Sequence, residues 1–327
     1  MTSISELCKR RSIAKYDVET PLLVPSFSSK GFTGLQEIWD NVNAFLPESA
    51  LISSYDLYHN HFSTLEGCPG LLFIDSGGYE ARKDFDLSEI YAPEYFPKAW
   101  IEQNYHEALK RCPVILSNLV LVSHDELVTR LPFAEQIDRA QNFFAQYPET
   151  ATDFLAKPHG TEFFDSDELI TNIKLLQSFD ILGLTEKELG NSIQERVRNI
   201  IRIRLALDQN GLEIPIHIFG CLDPLSIWLY YLCGADIFDG LTWLRLVFIK
   251  DMAVYRNNWA VWQNNSEIGG RDLEIVSWLE NLRYLGKQRL EMVRFARSHD
   301  IKAISIDTSI LNQVMELVEL TMSQEGV

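Results

Sequence analysis

The sequence predicts an α/β protein, a single (β/α)8 TIM barrel, on three observations. Short apolar runs recur along the chain, each followed by polar or glycine residues and then by helical periodicity. That alternation is what βα units feeding a parallel sheet produce. The runs number eight, the count that closes such a ring. Finally, 327 residues, 46% hydrophobic and 23% charged, supply one large core at a length that barrels reach.

The first strand is expected at 21–25, followed by Ser26-Phe27-Ser28-Ser29-Lys30-Gly31. The others are expected at 50–54, 71–75, 119–123, 153–157, 181–184, 214–219 and 236–239. Thr185-Glu186-Lys187-Glu188 has the spacing of a capping box and predicts a helix running towards Asn210-Gly211. Asp223-Pro224 predicts another, with an N-cap, proline at the first position and Gly234 at the end. Residues 84–97, with Tyr91, Pro93, Tyr95 and Pro97, read as an irregular insertion suited to a lid. The barrel is expected over about 20–270 and a helical extension over about 271–327, all one domain. Trp278, Leu282 and Leu285 in that extension predict barrel closure or a homodimer surface.

Composition narrows the function. Net charge is −17, with a sequence pI of about 4.8, which argues against a broad basic face for nucleic acid. Local basic patches remain at Lys9-Arg10-Arg11, at Arg283 to Arg297, and along Arg196, Arg198, Arg202 and Arg204, the last read as a solvated helix face. Five scattered cysteines lack zinc-knuckle spacing and read as free thiols, so neither a metal nor a cofactor is expected. No apolar run approaches the ~18 residues of a membrane span. The start, Met1-Thr2-Ser3-Ile4-Ser5-Glu6, lacks a basic flank and an apolar signal core, so a soluble cytoplasmic protein is expected.

The chemistry is expected at the C-terminal ends of the strands. Two apolar runs end there in an acid and glycine: Ile74-Asp75-Ser76-Gly77-Gly78-Tyr79 and Ala235-Asp236-Ile237-Phe238-Asp239-Gly240. A carboxylate pair suits glycosidic chemistry, one acid attacking an anomeric carbon and the other serving as general acid and then base. Asp236 reads as a loop acid rather than one of that pair. Lys157, ending the fifth strand, leaves a Schiff-base aldolase open as an alternative.

These segments resemble the tRNA-guanine transglycosylase (queuine tRNA-ribosyltransferase) superfamily. Asp75-Ser76-Gly77-Gly78-Tyr79 resembles its D-S-G-G-[FY] signature. His217-Ile218-Phe219-Gly220, Asp223-Pro224 and Gly234-Ala235-Asp236-Ile237-Phe238-Asp239 resemble its G-x-G-x-P-E … G-[VA]-D-M-F-D segment. Thr20-Pro21-Leu22-Leu23-Val24-Pro25 is similar to its first strand, and Ser53-Ser54-Tyr55-Asp56-Leu57 lies where the family has N-T-Y-H-L. The resemblance covers residues 20–245. It implies a (β/α)8 barrel that exchanges guanine in a nucleic acid for a 7-deazaguanine. Carried over, Asp239 is the nucleophile at C1′ and Asp75 handles the proton of the leaving and incoming base. Asp125 reads the base edge, the Gly183-Leu184 backbone contacts the base, and His159-Gly160 replaces the family's Q-G. Ser76, Gly77 and Gly78 belong to the base-binding loop, with Tyr79 placed to stack on the base. Ser53, Tyr55 and Arg245 fall at nucleic-acid contact positions.

The chain departs from the family in three ways. No C-x-C-x-x-C…H zinc site follows Asp239. The P-T-R-x-x-R-x-G stretch that grips the anticodon loop is replaced by Leu241-Thr242-Trp243-Leu244-Arg245-Leu246-Val247-Phe248. The net charge is strongly acidic. These departures resemble a divergent zinc-less branch, close to the 7-deazaguanine DNA transglycosylases, and imply DNA slightly ahead of tRNA. A nucleosidase or glycohydrolase acting on a small 7-deazaguanine nucleoside, and a non-catalytic partner subunit, remain alternatives.

Overall fold

The computed structural model describes residues 3–82, 95–112, 119–125 and 130–326. Eight parallel strands close into one barrel: β1 (Leu22–Phe27), β2 (Ser49–Ser53), β3 (Leu71–Asp75), β4 (Leu119–Val122), β5 (Ala151–Ala156), β6 (Ile181–Thr185), β7 (Ile216–Phe219) and β8 (Ile237–Gly240). The ring closes where β8 pairs with β1, Asp239 opposite Val24. The third strand falls where the apolar pattern puts it, and the others differ at their ends by one to two residues.

Strand period two sorts the side chains into two cores. Leu22, Val24, Phe73, Val120, Val122, Leu155, Ile181 and Ile237 point into the barrel. Leu23, Leu72, Ile74, Leu121, Leu182, Leu184, Ile216, Ile218 and Phe238 point outward under the helices. The same alternation turns Asp75, Asp153, Gly183, His217 and Asp239 inward. This parity positions the site.

Helix α1 (Ile193–Gln209) begins later than the first capping box predicts. Its cap is Ser192, which accepts from Glu195 N while Glu195 accepts from Ser192 N. Glu186–Glu188 is a 3₁₀ turn instead. Tyr230 Oη and Arg196 bond Glu186 (2.9 and 2.7 Å), and Lys157 bonds Glu188 (3.1 Å), so the turn is tied down rather than continued as helix. Nor is the arginine series on α1 a solvated face. Arg204 is fully buried against Asp236 (2.7 Å), Arg196 pairs with Glu186, and Arg198 and Arg202 pair with Glu325.

Helix α2 (Pro224–Leu232) starts as expected, with Asp223 accepting from Leu225 N and Ser226 N, both at 3.1 Å. Helix α3 (Gly270–Ser298) and helix α4 (Thr308–Gln324) form the C-terminal extension. Trp278, Leu282 and Leu285 of α3 are buried within the chain, which removes them from any dimer surface. They serve closure: Trp278 Nε1 donates to the Leu244 carbonyl, and Asn281 bonds Trp243 O, Leu246 O and Phe248 N. Of the expected insertion, residues 84–94 lie outside the described residues.

All five cysteines are free, with Cys8, Cys221 and Cys233 buried. Among the described residues no group of three or more His, Cys, Asp or Glu side chains is arranged to hold a metal ion, and no helix is long and apolar enough to cross a membrane.

Candidate active site

A cavity of about 490 Å³ opens at the C-terminal ends of the strands, and both Asp75 and Asp239 line it. Asp75 ends β3, and the turn after it requires both glycines. Gly77 has φ +85, and a Cβ there would lie 2.9 Å from the Trp100 indole. A Cβ on Gly78 would lie 3.1 Å from the Asp125 carboxylate. The loop therefore packs against Trp100, whose Nε1 donates to the Ser76 carbonyl (2.8 Å). Asp75 accepts from Gly77 N at 3.3 Å. Burial, then the nearby Glu80 and Asp239 carboxylates, push its carboxyl up to about 7.

Asp239 has the opposite surroundings. Ser26 Oγ donates to its Oδ2 (2.7 Å), Gly220 N donates to its Oδ1 (3.0 Å), and His217 Nε2 faces Oδ1 at 3.4 Å, an ion-pair distance. His217 Nδ1 donates to Asp153 Oδ2 at 2.6 Å, with both side chains fully buried. The imidazole titrates at about 9: desolvation opposes the charge, but the Asp153 and Asp239 carboxylates outweigh it. Gly183 makes room for this pair, since a Cβ there would meet Asp153 Oδ1 and the Phe219 ring at 2.7 Å.

Beside Asp75 lies a second acidic group, of which Glu80 also lines the cavity. Glu80 is buried and bonded by the Ser28 and Ser53 hydroxyls, the latter at 2.7 Å. Asp56 accepts from Ser29 N (3.0 Å), and desolvation and Glu80 raise its carboxyl well above the usual range. Glu80 does not stand out in the sequence, because it ends no apolar run, and Asp56 and His217 appear there only within the segments Ser53-Ser54-Tyr55-Asp56-Leu57 and His217-Ile218-Phe219-Gly220, with no role of their own. Asp153 is quieter still, its only signal a polar residue at an inward strand position.

The structure divides the remaining candidates. Ser76, Gly78, Tyr79, Asp125 and Arg245 line the cavity. Tyr79 Oη accepts from Arg245 Nη2 (3.2 Å), and the Lys30 ammonium sits 4.4 Å from the Tyr79 ring centroid. Asp125 is buried among Arg130 (2.6 Å), Arg82 (3.2 Å) and Lys157 (3.4 Å). Although burial opposes it, these cations hold the Asp125 carboxyl below its usual value. Asp125 is thus an anion, but its oxygens are already shared. Lys157 Nζ is engaged by Asp125 and Glu188 and donates to Thr185 Oγ1 at 2.8 Å.

Other candidates lie off the cavity. Leu184 points outward into the helix layer. His159 and Gly160 are exposed, with His159 3.8 Å from Glu168. Ser53 is buried against Glu80, and buried Tyr55 accepts from Lys98 N at 2.8 Å. Both are therefore internal supports rather than surface contacts. No protein-family model and no curated protein matches the chain in sequence.

Proposed function

We propose that this chain is a base-exchange transglycosylase that replaces guanine in a nucleic acid, DNA ahead of tRNA, with a 7-deazaguanine. The observation that carries this reading is the opposed setting of two acids in one cavity. Asp75 titrates at about 7, the value of a group that gives and takes protons near neutrality. Asp239 is met by an O–H, an N–H and an imidazole, the partners of a carboxylate ready to attack.

The reaction then runs in two halves. The Asp239 carboxylate attacks C1′ as the C1′–N9 bond breaks, the electron pair leaves on the base, and Asp75 delivers its proton to that base. In the return half the incoming base attacks C1′ and gives its N–H proton to Asp75. The ester C–O bond breaks, and its electron pair returns to Asp239. A purine within a duplex has to be flipped out to reach a barrel cavity. Asp125 accepts from the base edge by sharing oxygens already bonded to arginine.

The test is incubation with labelled 7-deazaguanine and DNA or tRNA in parallel. Denaturing mass spectrometry of the protein follows each incubation. Label in polynucleotide, together with a covalent adduct that Asp239→Asn abolishes, supports the reading. Label in neither polymer sinks it.

A second reading, hydrolysis of a small 7-deazaguanine nucleoside, is favoured by charge. The chain carries −17, and the cavity's Arg82 and Lys157 are engaged by Asp125. Release of free base from the nucleoside, with no acceptor base present, selects it.

A further inference from the structure

We infer that His217 and Asp153 form a buried positioning pair for Asp239: a resident imidazolium, anchored by Asp153, that holds the attacking carboxylate in place. The inference rests on the reading of Asp239 as nucleophile.

Three strands build the device. Asp153 on β5, His217 on β7 and Asp239 on β8 are all inward positions, and the first two are sealed from solvent. The chain of contacts is linear: Asp153 Oδ2 to His217 Nδ1 at 2.6 Å, then His217 Nε2 to Asp239 Oδ1 at 3.4 Å. Nε2 lies at ion-pair distance from Asp239 Oδ1 without a hydrogen bond to it, and no other group among the described residues bonds that nitrogen. The ring is held in place by Phe219, 3.9 Å away between centroids, and by Phe73 at 5.4 Å. Gly183 clears the volume that Asp153 occupies.

The charged groups facing the imidazole are these two carboxylates. Asp75 acts on Asp239 from across the cavity. The Tyr105 hydroxyl nearby is engaged by the carbonyls of Ile74 and Val122. A cation between two anions compensates both, while a neutral imidazole there leaves the buried Asp153 carboxylate without a counter-charge. The pair also bears on the return half. When the ester C–O bond breaks, the electron pair falls back onto an oxygen that already faces a positive charge, without solvent reorganisation.

Two measurements test this, one of them independent of any activity. In the full chain, ring ¹⁵N resonances identify His217 by their loss in His217→Gln and follow its titration. The wild-type ring is expected doubly protonated at pH 8, and its midpoint is expected to fall by at least about one pH unit in Asp239→Asn, a tenfold change in protonation. A ring already neutral at pH 7.5, or a midpoint unmoved by Asp239→Asn, overturns the pairing. The second measurement is the pH profile of base exchange in Asp153→Asn. Its alkaline limb is expected to move to lower pH, with about a tenfold loss relative to wild type at pH 8, and Asp153→Glu is expected to restore the wild-type limb. An active variant with an unshifted profile overturns the positioning role. If wild type performs no exchange, the function reading fails on that arm alone and the resonance data still judge the pair.

Discussion

At the scale of single residues, the cavity holds two acids in opposed settings, Asp75 with its carboxyl pushed up by burial and Asp239 bonded by Ser26 Oγ and Gly220 N. Asp75 titrates at about 7, whereas an aspartate in an unfolded chain titrates near 3.9. Between those values the folded chain binds a proton the unfolded chain has released. The associated stability is therefore complete below about pH 4 and is lost as pH rises through about 7. Asp75→Asn removes this dependence. Urea denaturation should show it more stable than wild type at pH 8, by on the order of 1–3 kcal/mol, with almost no difference at pH 4. Gly183 answers to packing instead. Gly183→Ala drives a methyl to 2.7 Å from Asp153 Oδ1 and Phe219, and overpacking of that kind costs about 1–3 kcal/mol in the same measurement. The two aspartates and the double glycine were legible in the sequence because each acid ends an apolar run. Asp153, His217, Asp56 and Glu80 were not, since a long-range contact such as Asp153 to His217 leaves no local pattern.

At the scale of elements, caps and glycines decide where helices begin and how firmly they hold. The chain carries two capping boxes seven residues apart, at Thr185 and Ser192, and only tertiary contacts choose between them. Tyr230, Arg196 and Lys157 bind Glu186 and Glu188, so the helix waits for Ser192. Ser192→Ala should lower stability by about 1 kcal/mol, read as a shift of the urea midpoint. Gly286 lies within α3, and a Cβ there meets no atom within 4 Å beyond the helix's own backbone. Gly286→Ala should therefore stabilise the chain by about 1 kcal/mol, seen as a higher thermal midpoint. The apolar seam of α3 was legible as a seam, but its partner was not. Trp278, Leu282 and Leu285 cover the chain's own barrel, and amphipathicity alone does not separate a neighbouring strand from a second protomer.

At the scale of the whole molecule, a buried ion cluster ties the two ends of the barrel together. Asp236, at the entry to β8, accepts from Arg11 (3.0 Å) in the N-terminal segment, from Arg204 (2.7 Å) on α1, and from Ile216 N (2.9 Å). Asp236→Ala strands two buried guanidiniums, and a cost of about 3–5 kcal/mol is expected in denaturation experiments. The eight-strand ring was readable from apolar runs that stop at acids and glycines. Asp236, read as a loop acid, is instead a keystone, because its charge is matched by Arg11, 225 positions away along the chain, and by Arg204 on a helix face expected to be in water.

Ser26 and Asp239 lie 213 residues apart, yet they share a hydrogen bond across the seam where the last strand meets the first. A growing polypeptide thus lacks this carboxylate–hydroxyl pair until its final strand has emerged and docked. The cavity's acids come into their final surroundings together with ring closure, and a half-made chain has not yet built them.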